Sequence, residues 1–128
     1  MKRRKKTDAR KIEDALWVEC KRIVRARYPH ECYTCFAKNL EGANLHTGHG
    51  PWPKSALPAY LKYDLRCLRI QCFNCNINLG GMGAEFLKRM LAEDGKRYVS
   101  QLERDRQKTV KASDHYARLL NEYRAIDR

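Results

Sequence analysis

Two cysteine motifs decide the fold of this chain, namely Cys32-Tyr-Thr-Cys35 and Cys72-Phe-Asn-Cys75, the second running directly into Asn76. In a C-x2-C turn both sulfurs reach one ion at about 2.3 Å, and two such turns complete the closed tetrahedral shell that is typical of structural zinc. The 36 residues between the motifs are too many for a simple finger. Because this stretch is also dense in glycine and proline, we expect a small subdomain of loops and short strands.

Disulfide bonding is the alternative use of these cysteines, because six cysteines in a short chain can form a secreted framework. The N-terminal run Met1–Lys6 has no apolar core and is therefore no signal peptide, and no apolar run is long enough to span a bilayer. We therefore expect a reducing cytoplasm, where paired C-x2-C motifs indicate metal. Cys20 and Cys67 remain as spare thiols, and Cys20 falls on an apolar helix face.

The charge of the chain indicates a polyanionic partner. Lys and Arg outnumber Asp and Glu by 27 to 15, which gives a net charge of +12. Between residues 32 and 82 the only carboxylates are Glu41 and Asp64, which disfavours a two-metal site built on an acidic cluster there. A single-metal site that uses His and Asn remains possible. The basic residues 1–7 are predicted to be a disordered tail, which could also contact phosphates.

Helices are predicted on both sides of the cysteine segment. Apolar residues at three-to-four spacing predict a helix over residues 8–29, with Asp8 as its N-cap and Pro29 as its stop. On its other face, Arg25 and Arg27 form either an ordinary solvated surface or an edge that follows phosphates. Three further helices are predicted after the second motif, over Ala84–Asp94, Tyr98–Gln107 and Ser113–Ile126.

The segment Leu45-His-Thr-Gly-His-Gly50 carries the candidate chemistry. A histidine beside a divalent ion can deprotonate a water for attack on a phosphodiester, while the ion stabilises the leaving oxygen. His49 is the best candidate base, because a glycine on each side allows close approach of a bulky substrate. Asn76 and His46 are candidate ligands of the catalytic ion. Either histidine could instead replace a cysteine at zinc or serve in packing.

The order C-x2-C, Gly-His, C-x2-C-Asn resembles that of the HNH or ββα-metal nucleases in their zinc-knuckle form. It is particularly similar to the phage NinG (Rap) recombination endonucleases. The resemblance covers residues 12–126 and includes a helix that ends just before the first motif. It also includes a set of residues around and after the second motif: Tyr63, Asp64, Gln71, Asn76, Gly81 and Phe86.

The resemblance implies a treble-clef-like ββα core with structural zinc on the four cysteines of the two motifs. It also implies a catalytic Mg²⁺ or Mn²⁺ centre on His49 and Asn76, to which Asn78 could add a further ligand. Members of the family cut branched DNA such as Holliday junctions and recombination intermediates. Branched DNA as the substrate is implied by the family alone.

The chain departs from the family pattern at two positions. Cys67 stands where the family has Asn, and Met82 stands where Asn often follows the glycine turn. A thiol is a poor substitute for an amide that bridges the strands of the site. Two alternatives to a nuclease therefore stay open: a zinc-stabilised DNA-binding module without catalysis, and a zinc-stabilised protein-interaction domain, which the charge disfavours.

We therefore predict an α+β protein in which a small treble-clef or ββα-metal zinc core is flanked by terminal helices. A tail over residues 1–7 would precede a single HNH-like domain over 8–128, divided into an N-terminal helix (8–29), the zinc core (30–82) and C-terminal helices (83–128). The cations predicted to bind DNA are Lys54, Arg66, Arg69, Arg25 and Arg27.

Two further predictions concern contacts with partners. Trp52, Leu57 and Tyr60 could wedge against the exposed bases of a junction, or simply cover a small core. Symmetric cleavage of a four-way junction needs two sites and hence a two-fold homodimer. The apolar stripes of the first and last helices are candidates for that contact, although they could equally pack on each other within one chain.

Overall fold

The computed structural model describes residues 7–126, so the basic run at residues 1–6, part of the predicted tail, lies outside the described residues. The order of elements confirms the α+β class, with five α-helices and one small sheet in this range. They are α1 (Asp8–Arg27), β1 (His46–His49), α2 (Ala59–Lys62), β2 (Leu68–Gln71), α3 (Gly83–Asp94), α4 (Lys96–Asp105) and α5 (Ala112–Arg124).

The N-cap of helix α1 lies one residue earlier than the sequence predicted. Thr7, not Asp8, is the N-cap, and its Oγ1 accepts a hydrogen bond from the Arg10 amide at 3.2 Å. Asp8 lies inside the first turn, where its negative carboxylate interacts favourably with the positive end of the helix dipole. The helix ends at Arg27, two residues before Pro29, as the proline predicted.

Strands β1 and β2 pair antiparallel, with His46 opposite Gln71 and His49 opposite Leu68. The first cysteine turn is joined to this sheet because the Tyr33 amide donates to the Ile70 carbonyl at 2.8 Å. The second cysteine turn follows β2 directly and continues as a single π-helical turn over Asn74–Asn78. The two strands and the π-helical turn therefore hold both cysteine motifs close together.

The terminal helices α1 and α5 pack against each other, and α1 also packs against β2. Leu16 and Ile23 on α1 are buried, as are Tyr116 and Tyr123 on α5, and the Tyr123 hydroxyl donates to the Tyr63 carbonyl at 2.9 Å. The surfaces considered for a dimer contact are therefore used inside one chain. None of the helices in residues 7–126 is both long and apolar enough to cross a membrane.

A second core lies between α3, α4 and the segment before β2. Its fully buried members include Leu61, Phe86, Met90 and Leu102. Helix α4 begins at Lys96 rather than Tyr98, because Gly95, with φ of +90°, lets the chain end α3 and enter α4 through one residue. The last helix ends at Arg124, two residues before the predicted Ile126.

Candidate metal centre and active site

The sulfurs of Cys32, Cys35, Cys72 and Cys75 all lie within 4.8 Å of one another. The Cys35 and Cys72 sulfurs are 3.7 Å apart. Four sulfurs at about 2.3 Å from one zinc ion define a tetrahedron with edges of about 3.8 Å, so this spacing fits zinc. The cluster contains no histidine, and all six cysteines of the described residues are free of disulfides. The prediction of a four-cysteine zinc site is thus supported, and the alternatives of disulfides or a histidine ligand are not.

Backbone amides point at the sulfurs in both turns. The Cys35 amide donates to the Cys32 sulfur at 3.5 Å, and the Cys75 amide donates to the Cys72 sulfur at 3.4 Å. Such hydrogen bonds favour the thiolate form, which is the form that binds metal. The two turns therefore present their sulfurs in the same way.

The pKa values of two of the thiols, Cys32 and Cys75, show that the sulfurs of the cluster affect one another. Burial alone raises the pKa of Cys32, but hydrogen bonds from Thr34 and from backbone amides lower it to about 6. Burial and the neighbouring sulfurs raise the pKa of Cys75 to about 12. Four negative charges this close together repel one another strongly, and a bound divalent ion removes that repulsion.

Beside the cluster, a cavity of about 310 Å³ opens between α1, β1 and the π-helical turn. It is lined by Trp17 of α1, Thr47 and His49 of β1, and Asn76 of the turn, together with Lys54. A second cavity of about 330 Å³ shares Trp17, Thr47 and Asn76 with the first, and adds the residues Lys21, Arg25, Leu45 and His46. Among residues 7–126, no carboxylate lines either cavity.

His49 is held in one orientation and in its neutral form. Its ring stacks on Trp17, with centroids 5.2 Å apart and planes 16° from parallel. Its Nε2 lies 3.0 Å from the Lys62 carbonyl, which can only accept, so Nε2 carries the proton and Nδ1 keeps its lone pair. Burial, with the nearby charges of Lys54 and Lys62, lowers the pKa of His49 to about 4. The imidazole is therefore neutral at physiological pH.

His46 and Asn76 contact each other through a side-chain hydrogen bond. The His46 Nε2 donates to the Ala43 carbonyl at 2.9 Å, which leaves Nδ1 as an acceptor. That Nδ1 lies 3.0 Å from the Asn76 side-chain amide. Asn78, the further candidate, is not brought to this position. Its side-chain amide donates to Asn74 Oδ1 at 3.1 Å, and it lines neither cavity.

The glycines on each side of His49 serve packing. The sequence had instead suggested that they allow a bulky substrate to approach. A Cβ at Gly48 would overlap the fully buried side chain of Gln71. A Cβ at Gly50 would lie 2.5 Å from two ring carbons of Phe86, which is also fully buried. Gly48 and Gly50 therefore let β1 lie against these two side chains.

The predicted phosphate-binding cations divide into two groups. Lys54 lines the first cavity and is exposed, with its Nζ 5.5 Å from the Trp17 ring centroid. Arg25 lines the second cavity, and Arg27 is exposed on the same helix. Lys21, on the same predicted basic face of α1, lies one helical turn before Arg25 and lines the same cavity.

Two of the predicted cations are engaged inside the protein. Arg69 is only 3% exposed, and its guanidinium pairs with Asp94 at 3.2 Å. Arg66 pairs with Asp64 at 2.7 Å and with the buried Asp105 at 2.8 Å. The assignment of Arg69 to DNA binding was wrong, because a buried and paired guanidinium cannot reach a phosphate. The charge of Arg66 is neutralised by its two acidic partners.

The loop residues proposed as a wedge are largely used in packing. Leu57 is buried in the second core. Arg106 covers the Trp52 ring at 4.3 Å, and Tyr60 stacks on His115 with centroids 5.3 Å apart. The reading in which these side chains cover a small core therefore fits the structure. Trp17 and Thr47 were not identified from sequence as site residues, because their helical and strand positions become adjacent only in the fold.

No protein-family model matches the chain, and neither the curated proteins nor the solved structures contain a significant match. We therefore infer function from the geometry of the cysteine cluster and the two cavities, and from the motif order in the sequence.

Proposed function

We propose that this protein is a metal-dependent DNA endonuclease of the HNH or ββα-metal type. The observation that carries the proposal is the convergence of His49, Asn76 and His46 on two adjoining cavities. Both cavities are bordered by cations, and no carboxylate of residues 7–126 lines them. A neutral base, a pair of neutral ligands and a cationic surround suit an anionic substrate that brings its own negative charge to the metal. A phosphodiester is such a substrate.

The donor atoms suit a divalent ion that takes its other ligands from phosphate and water. The Nδ1 of His46 and the side-chain oxygen of Asn76 are both neutral, and amide oxygen and nitrogen are exchanged by a simple flip of the side chain. An imidazole ligand suits Mn²⁺ better than Mg²⁺, which prefers oxygen. The ion would supply charge stabilisation at the scissile phosphate.

In this proposal His49 accepts the proton of the attacking water at Nδ1. The hydrogen bond from Nε2 to the Lys62 carbonyl fixes this tautomer, and the stacked Trp17 fixes the ring plane. A pKa near 4 keeps the base neutral over the whole physiological range, although it also makes it a weak base. Lys54, on the same cavity, would bind a phosphate oxygen.

The substrate and its setting are proposed from the resemblance to the NinG family. On that basis the substrate is branched DNA, including Holliday junctions, cut during phage recombination in a host cytoplasm where thiols stay reduced. Two cuts at a four-way junction would need a homodimer. Because the stripes of α1 and α5 pack on each other, the dimer contact would use another surface.

A DNA-binding module without catalysis is the second candidate, and one observation favours it. His46 and Asn76 are hydrogen-bonded to each other, so the lone pair of His46 Nδ1 is already used within the protein. Together with Cys67 in place of a family Asn, this is what a site that has lost its catalytic ion would retain.

Cleavage of matched four-way, flap and linear DNA with Mg²⁺ or Mn²⁺ tests the proposal. Zinc-loaded wild type is expected to cut, and His49→Ala and Asn76→Ala are expected to bind DNA but lose cutting by at least a hundredfold, as for loss of a general base. His30→Ala and Asn78→Ala are the matched controls, because neither residue lines the cavities. Binding without cutting in wild type, with either metal, would support the module instead.

A further inference from the structure

Large apolar side chains are exposed at the edge of the candidate site. In residues 7–126 seven large hydrophobic residues are exposed, and three of them, Phe73, Ile77 and Leu79, fall within one seven-residue stretch. Phe73 is 44% and Ile77 is 54% exposed. Single exposed apolar residues are ordinary, but a local cluster of them indicates a contact surface.

Phe73 and Ile77 stand on one side of the same helical turn, four residues apart, and we name this pair the apolar rim. The inward positions of the turn are taken by Cys72 and Cys75, which are buried in the metal cluster. The Phe73 amide donates to Asn44 Oδ1 at 2.9 Å. The apolar rim is therefore fixed by the cysteine turn and would lose little conformational entropy when it binds.

The apolar rim touches both halves of the candidate site. The Phe73 ring meets the His46 ring edge-on, with centroids 5.4 Å apart. Ile77 lines the cavity that contains His49 and Lys54. Asn76 lies between the two rim residues in sequence and lines both cavities.

The surroundings of the apolar rim specify the chemistry of its partner. The adjoining cavities carry the cations Lys54, Lys21 and Arg25, and no carboxylate lines them within residues 7–126. The partner must therefore be an anion that also offers a flat apolar face next to its charge. Nucleic acid with an unstacked base has both, whereas the bases of a continuous duplex are covered by their neighbours.

We propose that Phe73 and Ile77 bind an unstacked base next to the scissile phosphate, so that the substrate class is DNA with unpaired nucleotides rather than continuous duplex. This inference rests on the proposed nuclease function, because only a nuclease would cut the neighbouring phosphate. The base contact itself is a binding property. One base stacked on an aromatic ring corresponds to roughly a tenfold change in affinity or more.

The test compares binding to two labelled DNAs, in buffer without added Mg²⁺ or Mn²⁺ so that nothing is cut. One is a duplex with a single-stranded flap whose first unpaired base is 2-aminopurine, and the other is the matched continuous duplex. With zinc-loaded full-length protein, Phe73→Ala is expected to weaken flap binding about tenfold and duplex binding less than twofold. Phe73→Tyr should restore flap binding, because the ring is kept.

The fluorescence of 2-aminopurine gives an independent readout. Stacking on Phe73 should quench it in wild type and in Phe73→Tyr, but not in Phe73→Ala. Phe36→Ala is the matched control, since Phe36 is an exposed phenylalanine that directly follows the other cysteine turn. Ile77→Ala, with the zinc content of each variant measured, provides a second test if Phe73→Ala fails to fold.

Equal weakening on both DNAs, or none on either, would overturn the inference. So would loss of self-association in Phe73→Ala with unchanged DNA binding, which would make the apolar rim a contact between copies of the chain. Failure of the nuclease proposal gives a different result. Neither wild type nor any variant cuts DNA with Mg²⁺ or Mn²⁺, yet the preference for flap DNA still depends on Phe73.

Discussion

The state of His49 leads to a prediction about stability in mild acid. The folded pKa of about 4 lies below the ordinary value of about 6.5 for an unfolded histidine. As the pH falls through 6.5, the unfolded chain gains a proton at His49 and the folded chain does not. Stability is therefore complete above about pH 7 and is lost progressively between pH 6.5 and pH 4.

The size of the effect follows from these two values. Between pH 7.5 and pH 5.0 the unfolded His49 becomes almost fully protonated, whereas the folded imidazole stays mostly neutral. Linkage then gives a loss of about 2 kcal/mol in the free energy of unfolding from this one group. His49→Gln cannot take up the proton, so its stability should fall by about 2 kcal/mol less than that of wild type over the same interval.

Urea unfolding of both zinc-loaded proteins at the two pH values, at constant ionic strength, measures the difference. Protonation of zinc-bound thiolates weakens both proteins equally, so it cancels in the comparison. An NMR titration of the His49 ring reports the folded pKa directly. Equal losses in the two proteins, with a ring that titrates near 6.5, would refute the burial and stacking argument.

Three further outcomes are expected. Gly50→Ala should lower the free energy of unfolding by about 1 to 3 kcal/mol, measured by thermal melting, because the added methyl overlaps the Phe86 ring. When Gly50→Ala is combined with Phe86→Leu, the two losses should be less than additive. Full additivity would place the clash elsewhere. Cys72→Ser should reduce the zinc content below one per chain by elemental analysis, whereas Cys20→Ala should leave it at one, since Cys20 lies outside the cluster. Asp105→Asn should destabilise the protein by about 1.5 to 3 kcal/mol in urea, because it weakens the charge-assisted contacts of a buried carboxylate with Arg66 and Lys108, while Asp64 still pairs with Arg66. An unchanged midpoint would contradict that pairing.

The sequence predicted the features that depend on local spacing. The four cysteines assemble as their C-x2-C spacing requires, since the geometry of each turn is set by four consecutive residues. The helices around Leu16 and Phe86 follow from apolar periodicity in the same way. His49 and Asn76, which were chosen from the motif order, line the same cavity.

The features that sequence missed depend on contacts between distant segments. Arg69 looked like a solvated cation, yet it is enclosed by Tyr28, Tyr33 and Asp94, which come from three separate parts of the chain. Whether a cation is exposed is decided by such neighbours and not by its own motif. Trp17 escaped notice for the same reason, because its stacking partner lies 32 residues further along the chain.

The four-cysteine cluster explains how so small a sheet can hold a site. Two strands of four residues are marginal on their own in water. Here Gln71, at the end of β2, donates to Thr34 in the first cysteine turn and to the Gly81 carbonyl after the second. The same side chain lies against Gly48 in the middle of β1. Loss of the metal would release both turns, and with them the register that brings His46 and His49 to Asn76, so binding of zinc and formation of the candidate active site should be one event.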